Sequence, residues 1–284
     1  MKGPTSVARS LFDHLSDVAR VLGAASHVFL FLDFDGTLAP VVDDPDTASM
    51  SEKTREQLIS LSQKPRFLLA IISGRPLSDL QQRVGLEGLF YAGNHGLEIA
   101  GPGLSFVQPA ARERVPALRE LSRSLETKLR DMPGARVDNK GLTATVHYRH
   151  ARDEDREEIR RIVRESVASA GDLFRVSEGL KALEIRPQVN WNKGDAAQWI
   201  LESSGRGDAL PIYLGDYATD EDAFSALAAG ITVRIGPTAE TSAQYQLEYQ
   251  EAVGEFLAWL VELDDCLSRQ TAKPGEHSAS AKQA

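Results

Sequence analysis

The sequence predicts an α/β fold in which a doubly wound parallel sheet is interrupted by a smaller α+β unit and then completed. Three observations predict it. Short apolar runs ending in polar or small residues alternate with amphipathic helical stretches, as buried parallel strands and their crossover helices do. Between about residues 105 and 187 that alternation gives way to long charged helical stretches, and from residue 188 it resumes. A length of 284 residues also suits two units better than one.

The first strand is predicted at His27-Val-Phe-Leu-Phe-Leu-Asp-Phe-Asp35, a continuous apolar run ending in carboxylates and Gly36, after a helical segment over residues 1–23. An acidic loop (Asp43, Asp44, Pro45, Asp46) leads to Ser49-x-x-Glu52, a capping-box pattern, with Thr54, Leu58 and Leu61 on one helical face. Arg66 to Ser73 repeats the strand pattern, and Pro76 with Asp79 and Leu80 opens another helix. Leu89 to Gly93 is a third strand, closed by Asn94-His95-Gly96. Within the interruption, helices at Pro109–Asp131 and Asp153–Ala170 flank a strand at Leu142–Tyr148. The parallel pattern returns as a helix at Asp195–Leu201, a strand at Pro211–Gly215, a helix at Thr219–Leu227 and a strand at Ile231–Ile235. A closing helix spans Glu251–Leu267, with Phe256, Leu257, Trp259, Leu260 and Leu263 as core residues, and a polar tail covers 269–284. The larger unit is therefore expected at 24–104 and 188–268, and the inserted one at 105–187.

Composition excludes several classes of function. A 42% hydrophobic content can bury roughly three quarters of the unfolded surface without disulfides or metals. The formal charge of −9 repels phosphate backbones, so nucleic acid is not an expected partner. Cys266 is the single cysteine, which leaves no internal disulfide and points to a reducing, cytoplasmic setting. No signal segment opens the chain, and apolar runs stop at six residues (Phe67 to Ile72), against roughly 20 for a membrane span. No membrane association is expected.

In an open α/β sheet the ligand crevice lies beyond the carboxyl ends of the strands, so polar strand ends are the candidate site. Asp33-Phe-Asp35-Gly36-Thr37 puts two carboxylates and a turn-forming glycine there, a combination expected by chance on the order of once in a thousand such chains. An ionised carboxylate can attack phosphorus without first losing a proton, which suits Asp33 as nucleophile. Such an attack on a phosphate dianion needs imported positive charge, and oxygen ligands of this kind suit Mg2+. Asp35 is placed to protonate the leaving alkoxide and then to activate water. Ser73 and Arg75, in Ile72-Ser-Gly-Arg75, offer a hydroxyl and a guanidinium for phosphate or substrate oxygens. Lys193 stands at a helix start, where an anion would offset its conflict with the helix dipole. Asp216 and Asp220, in Gly215-Asp-x-x-x-Asp220, supply a further metal ligand and an outer partner for Lys193 or a bound water. A Ser or Asp helix cap and an exposed lysine are the structural alternatives at Ser73, Asp220 and Lys193.

These four pieces in this order resemble the haloacid dehalogenase-like phosphatases. The finer wording resembles the trehalose-6-phosphate phosphatases, over roughly residues 28 to 265, through Asp33-Phe-Asp-Gly-Thr-Leu-Ala-Pro40, Ile72-Ser-Gly-Arg-Pro76, Gly93-Asn-His-Gly-Leu-Glu98, Leu183-Glu-Ile-Arg-Pro187, Asn192-Lys-Gly194 and Thr219-Asp-Glu-Asp-Ala-Phe224. The resemblance implies a Rossmann-like haloacid dehalogenase core with an inserted α+β cap that closes over the sugar. It implies hydrolysis of trehalose 6-phosphate through an aspartyl phosphate on Asp33, with Asp35 as acid and base and Ser73 and Lys193 holding the phosphoryl group. Mg2+ would sit on Asp33, the Asp35 carbonyl and Asp216, with Asp220 behind them. Arg75, Asn94 and His95 would line the core side of the sugar pocket, and Asp138, Lys140, His147, Arg149 and Glu184 the cap side. A separate trehalose-6-phosphate synthase would supply the substrate.

Two positions depart from the family pattern. Asp138 stands where Glu is more common, and Tyr217 where a further Asp usually follows the metal ligand, which predicts altered metal affinity or altered choice between magnesium and manganese. Two other readings remain open at this point: a phosphatase for a different sugar phosphate (sucrose, glucosylglycerol or mannosylglycerate type), and a non-catalytic sugar-phosphate sensor.

Overall fold

The computed structural model describes residues 8–179, 181–238 and 240–271. In chain order the elements begin with β1 (Arg9–Ser10), α1 (Leu15–Ala24), β2 (Val28–Asp33), α2 (Glu52–Ser62), β3 (Phe67–Ile72), α3 (Leu77–Val84), β4 (Phe90–Gly93), β5 (Glu98–Gly101) and β6 (Leu104–Val107). They continue with α4 (Pro109–Glu113), α5 (Val115–Lys128), β7 (Arg136–Asn139), β8 (Ala144–His147), α6 (Asp153–Ser169), β9 (Phe174–Gly179) and β10 (Ala182–Pro187). The last are α7 (Lys193–Ser203), β11 (Leu210–Gly215), α8 (Glu221–Ala226), β12 (Ile231–Ile235), β13 (Tyr245–Leu247) and α9 (Ala252–Thr271).

Nine strands form one sheet in the order β1-β13-β12-β11-β2-β3-β4-β5-β6. It is parallel from β1 through β4, and β5 and β6 add an antiparallel edge. From β2 the chain winds outward to β3 and β4, and after the insertion β11, β12 and β13 extend the other side. The winding direction thus reverses between β2 and β11, so their carboxyl ends open the crevice where such sheets hold ligands.

Both faces of this sheet are apolar because its strands carry continuous rather than alternating apolar runs. Leu30, Leu32, Leu69, Ile71, Leu214 and Val233 pack under Val18 and Leu22 of α1, Leu58 and Leu61 of α2, and Phe256, Leu257 and Leu260 of α9. Phe29, Phe31, Ala70, Ile72 and Tyr213 meet Ala196, Ala197 and Ile200 of α7 and Phe224 of α8 on the other face. Truncating a ring such as Phe31 to Ala should cost roughly 3–5 kcal/mol.

A second sheet, β7-β8-β10-β9, is wholly antiparallel and has its own interior. Strand alternation sorts its residues by face. Ala144, Val146, Leu183 and Ile185 point toward Leu118 and Leu125 of α5 and Ile159 and Val163 of α6. Asp138, Thr145 and Glu184 pair across strands β7, β8 and β10, so they share the opposite, polar face with His147 and Arg186. The α/β architecture with a separate α+β insertion is thus the one the sequence predicts.

Some boundaries differ from expectation. The N-cap of α2 is Ser51, whose hydroxyl accepts from Thr54 N at 3.0 Å, rather than Ser49. The closing helix runs on to Thr271, and the Arg269 side chain, through Nε, donates to the Asp265 carbonyl at 3.0 Å. Residues 272–284 of the expected tail and 1–7 of the expected N-terminal helix lie outside the described residues. Among those described, no helix is long and apolar enough to cross a membrane.

Candidate active site

The apolar run of β2 carries Asp33 into the crevice, where it is only 4% exposed. Its Oδ1 accepts from Lys193 Nζ at 2.6 Å, and the same ammonium donates to Asp220 Oδ1 at 2.7 Å. Lys193 is the first residue of α7, fixed there by a reciprocal cap. The Asn192 side chain accepts from the Gly194 and Asp195 amides, and the Asp195 carboxylate accepts from Asn192 N. Two carboxylates offset the clash between a cation and the positive helix end. Lys193 is therefore no surface lysine; at 3% exposure it is held charged, its pKa raised by Asp220 and Asp33 against the opposing effect of burial. Asp220 is saturated, since Tyr213 Oη also donates to Oδ1 at 2.8 Å and Tyr217 N to Oδ2 at 2.9 Å.

Asp216, one residue beyond β11, differs from Asp220. Carboxylate oxygens of Asp33, Asp216 and Asp220 lie within 4.8 Å of one another, and Asp216 Oδ1 is buried without a hydrogen-bond partner. The carboxylate rests on Gly36 so closely that a Cβ there would stand 2.0 Å from Oδ2, and Gly36 holds a left-handed φ of 86°. Burial, then the like charge of Asp220, push the Asp216 carboxyl up to about 6 despite Lys193. Burial raises Asp33 as well, with Asp220 and Asp216 adding to it and Lys193 opposing. Three carboxylates share one ammonium here, and the oxygen left without a donor is the one a hard divalent cation would take. The donor set fits such an ion through Asp33 and Asp216, with Asp220 occupied in orienting Lys193.

Ser73 follows the β2–β3 pairing of Asp33 with Ile72, which places its buried hydroxyl beside the nucleophile's strand end. Beyond β4, Asn94 and His95 take left-handed φ values of 48° and 59°. Their amides donate to Arg75 O at 2.7 Å and Ser73 O at 2.8 Å, locking the two strand-end loops together. Those side chains reach the smaller sheet. Asn94 Nδ2 donates to Glu98 Oε1 at 2.7 Å and to the Lys140 carbonyl at 3.2 Å, while Thr143 Oγ1 donates to Asn94 Oδ1 at 2.6 Å. His95 Nε2 and Glu184 Oε1 stand 2.5 Å apart. Burial lowers the His95 pKa more than Glu184 raises it. For Glu184, burial is outweighed by His95, Arg186 and Lys140, and the carboxyl stays well below its usual range.

The remaining residues expected on the cap side divide. Asp138 Oδ2 lies 3.9 Å from His147 Nε2 on the polar face, and the nearness of His147, with Lys140 and Arg136, holds its pKa below the usual carboxylate value. Arg149 turns instead to Asp43, in the acidic loop after β2. Arg75 does not join His95 and Glu184 either, because its guanidinium is forked onto Asp35. The Tyr217 ring is half exposed, and its hydroxyl donates to the Glu178 carbonyl of β9 at 3.2 Å, bridging the two sheets' units. Sequence reading missed Tyr213, Thr143, Asp79 and Thr145. Only Tyr213 left a signal, being two residues before Gly215 and so on the face of β11 opposite Ile212 and Leu214.

The trehalose-phosphatase family profile matches residues 31–252. The chain is 39% identical over 274 residues to a probable trehalose-phosphate phosphatase D of Arabidopsis thaliana, covering 90% of this chain and 72% of that protein. It is 38% identical over 281 residues to the trehalose 6-phosphate phosphatase RA3 of Zea mays, covering 90% and 74%. Among solved structures, the C-terminal domain of the C. albicans trehalose-6-phosphate phosphatase superposes with a TM-score of 0.74 at 23% identity, over 92% of this chain and 99% of that one. A haloacid dehalogenase-like hydrolase from Bacteroides thetaiotaomicron gives 0.59 at 20% identity, over 82% and 99%, a likeness of fold alone. With the profile spanning most of the chain and these relatives alike along nearly all of it, the chain belongs to the trehalose-phosphatase family.

Proposed function

We propose that this chain hydrolyses trehalose 6-phosphate to trehalose and inorganic phosphate by way of a phosphorylated aspartate. The observation that carries the reading is Asp33, buried at the switch point of the sheet between Lys193 and the partnerless carboxylate oxygen of Asp216. An Asp33 oxygen forms a bond to phosphorus while the bond from phosphorus to the sugar oxygen breaks, and a proton from Asp35 passes to that oxygen. Water then attacks the aspartyl phosphate, gives its proton to Asp35 and restores the Asp33 carboxylate. Lys193 and Ser73 hold phosphoryl oxygens throughout, with Asp220 and Tyr213 keeping the ammonium aimed. Asp33, Asp216 and the Asp35 carbonyl would hold Mg2+, which would supply positive charge against the phosphate dianion.

Residues 105–187 act as the cap and 24–104 with 188–268 as the core. Asn94, His95, Lys140 and Glu184 converge where the two polar surfaces meet, and their buried donors and acceptors suit the selection of sugar hydroxyls. Asp138 and His147 extend that surface. We place the reaction in the cytoplasm, fed by a separate synthase that makes the sugar phosphate.

Phosphate release from trehalose 6-phosphate, assayed with and without chelator beside sucrose 6-phosphate and other sugar phosphates, tests the reading. Release should stop with chelator, return with Mg2+, favour trehalose 6-phosphate, and fall by at least about 10³-fold in Asp33→Asn. Binding without release would instead establish the sensor.

A further inference from the structure

Arg75 uses its donors within the protein. Nε donates to Asp35 Oδ2 and Nη2 to Asp35 Oδ1, both at 2.7 Å, a two-pronged pair. Nη2 also donates to the Pro45 carbonyl at 2.8 Å, and Nη1 to Asp79 Oδ2 at 3.0 Å. The guanidinium lies 5.5 Å over the buried Phe34 ring and is 8% exposed. Asp79 is held in turn by Arg83, whose Nε lies 2.9 Å from each of its oxygens and whose Nη1 donates to the carbonyls of Asp46 and Ala48. Four of the five guanidinium N–H groups are thereby committed, which leaves one for any sugar oxygen.

We propose that Arg75 is a positioning residue for Asp35, not a sugar ligand: its planar fork fixes the direction of the Asp35 carboxyl, and through it the transfer of the proton to the leaving oxygen. The inference rests on the aspartyl-phosphate reading above. Asp35 is 40% exposed at its side chain and has two side-chain torsions, and among the described residues Arg75 alone hydrogen-bonds its carboxylate. A carboxylate offers about four lone-pair directions, of which the fork takes two and leaves the rest for a proton in transit. Lysine cannot reproduce this, because a point charge fixes no plane. Asp79 and Arg83 brace the fork from behind and tie it to the 43–48 loop, where Arg149 arrives from the smaller sheet's unit at Asp43.

The experiment compares kcat/KM for ethyl phosphate, a poor leaving group with no sugar, p-nitrophenyl phosphate, which needs no acid, and trehalose 6-phosphate. This constant reports on the steps through loss of the leaving group. In Arg75→Met and in Arg75→Lys the ethyl-to-nitrophenyl ratio should fall at least about tenfold, and Asp79→Asn should lower it in the same direction while keeping Arg75 itself. In Asp35→Asn the ratio should fall further, and adding Arg75→Met to it should change the ratio no more, since both act through one carboxyl. An unchanged ratio in all three Arg75 and Asp79 variants, with KM raised for trehalose 6-phosphate alone, makes Arg75 a sugar ligand and overturns the proposal. Wild-type protein that hydrolyses none of the three substrates, or Asp33→Asn that hydrolyses them all, overturns the underlying reading instead. Asp79→Asn, remote from the phosphate, keeps the test open should the Arg75 variants not fold.

Discussion

Asp216 shows how one side chain can destabilise the fold for a reason that lies outside it. Its Oδ1 is buried with no donor, beside two further carboxylates and a single ammonium. A buried, uncompensated charge costs stability, and a cation that binds only the folded chain recovers it. In the metal-free protein Asp216→Asn should therefore raise the melting temperature near pH 7.5 by about 2–5 °C. Adding millimolar Mg2+ should stabilise wild type and leave the variant unmoved; a variant that responds as wild type does would remove Asp216 from the ligand set. Which side chains cluster is legible at this scale, because Asp33, Asp216, Asp220 and Lys193 stand at strand ends and helix starts. What each touches is not. Arg75 and Asp35 are 40 residues apart, and nothing local says that a guanidinium after β3 will turn back toward β2 rather than outward.

Elements bring these side chains to one point, and α7 is the clearest case. Its capping pair holds Lys193 at the first helical position, between carboxylates from β2 and from the turn after β11. Replacing Asn192 with Ala removes an acceptor for two amides and should cost about 1 kcal/mol, read as a lowered urea midpoint. Because the ammonium loses its fixed approach, kcat should fall more than KM rises; an unchanged kcat would separate the cap from the chemistry. The β2, β3, β11 and β12 strands could be read from apolar runs such as Val28-Phe-Leu-Phe-Leu32, since burial on both faces leaves an unbroken signature. The β5–β6 hairpin and the β9–β10 pair could not. Strands such as Phe174–Gly179, with polar residues on both faces, lack that signature and exist because a neighbouring strand supplies their hydrogen bonds.

At the scale of the whole molecule, the two sheets' units meet through an apolar seam of Leu97, Ala111 and Leu142 and through polar contacts: His95 with Glu184, Asn94 with Lys140 and Thr143, Arg149 with Asp43, and Tyr217 with Glu178. The Tyr217 departure from the family pattern acquires a structural sense here, as its hydroxyl reaches across rather than toward the ligand cluster. Glu184 makes the junction sensitive to acid. Its folded pKa lies below its unfolded value, so its stabilisation is present above about pH 4.5 and is lost as pH falls through the folded value. Glu184→Gln should therefore cost about 1.5 kcal/mol at pH 7, with the gap to wild type narrowing toward pH 3. Urea midpoints at both pH values check this, and a gap that widens on acidification would contradict it.

The smaller sheet closes its interior with α5 and α6 alone, while the larger closes its own with helices from both ends of the chain. Between the two lies only a small apolar seam, Leu97 of the larger unit against Ala111 and Leu142 of the smaller, and no covalent crosslink joins the interiors. The polar face that carries Asp138, Thr145 and Glu184 lies outside both interiors, so on the proposed reading evolution can recarve it toward new substrates while the packing of each unit stays as it is.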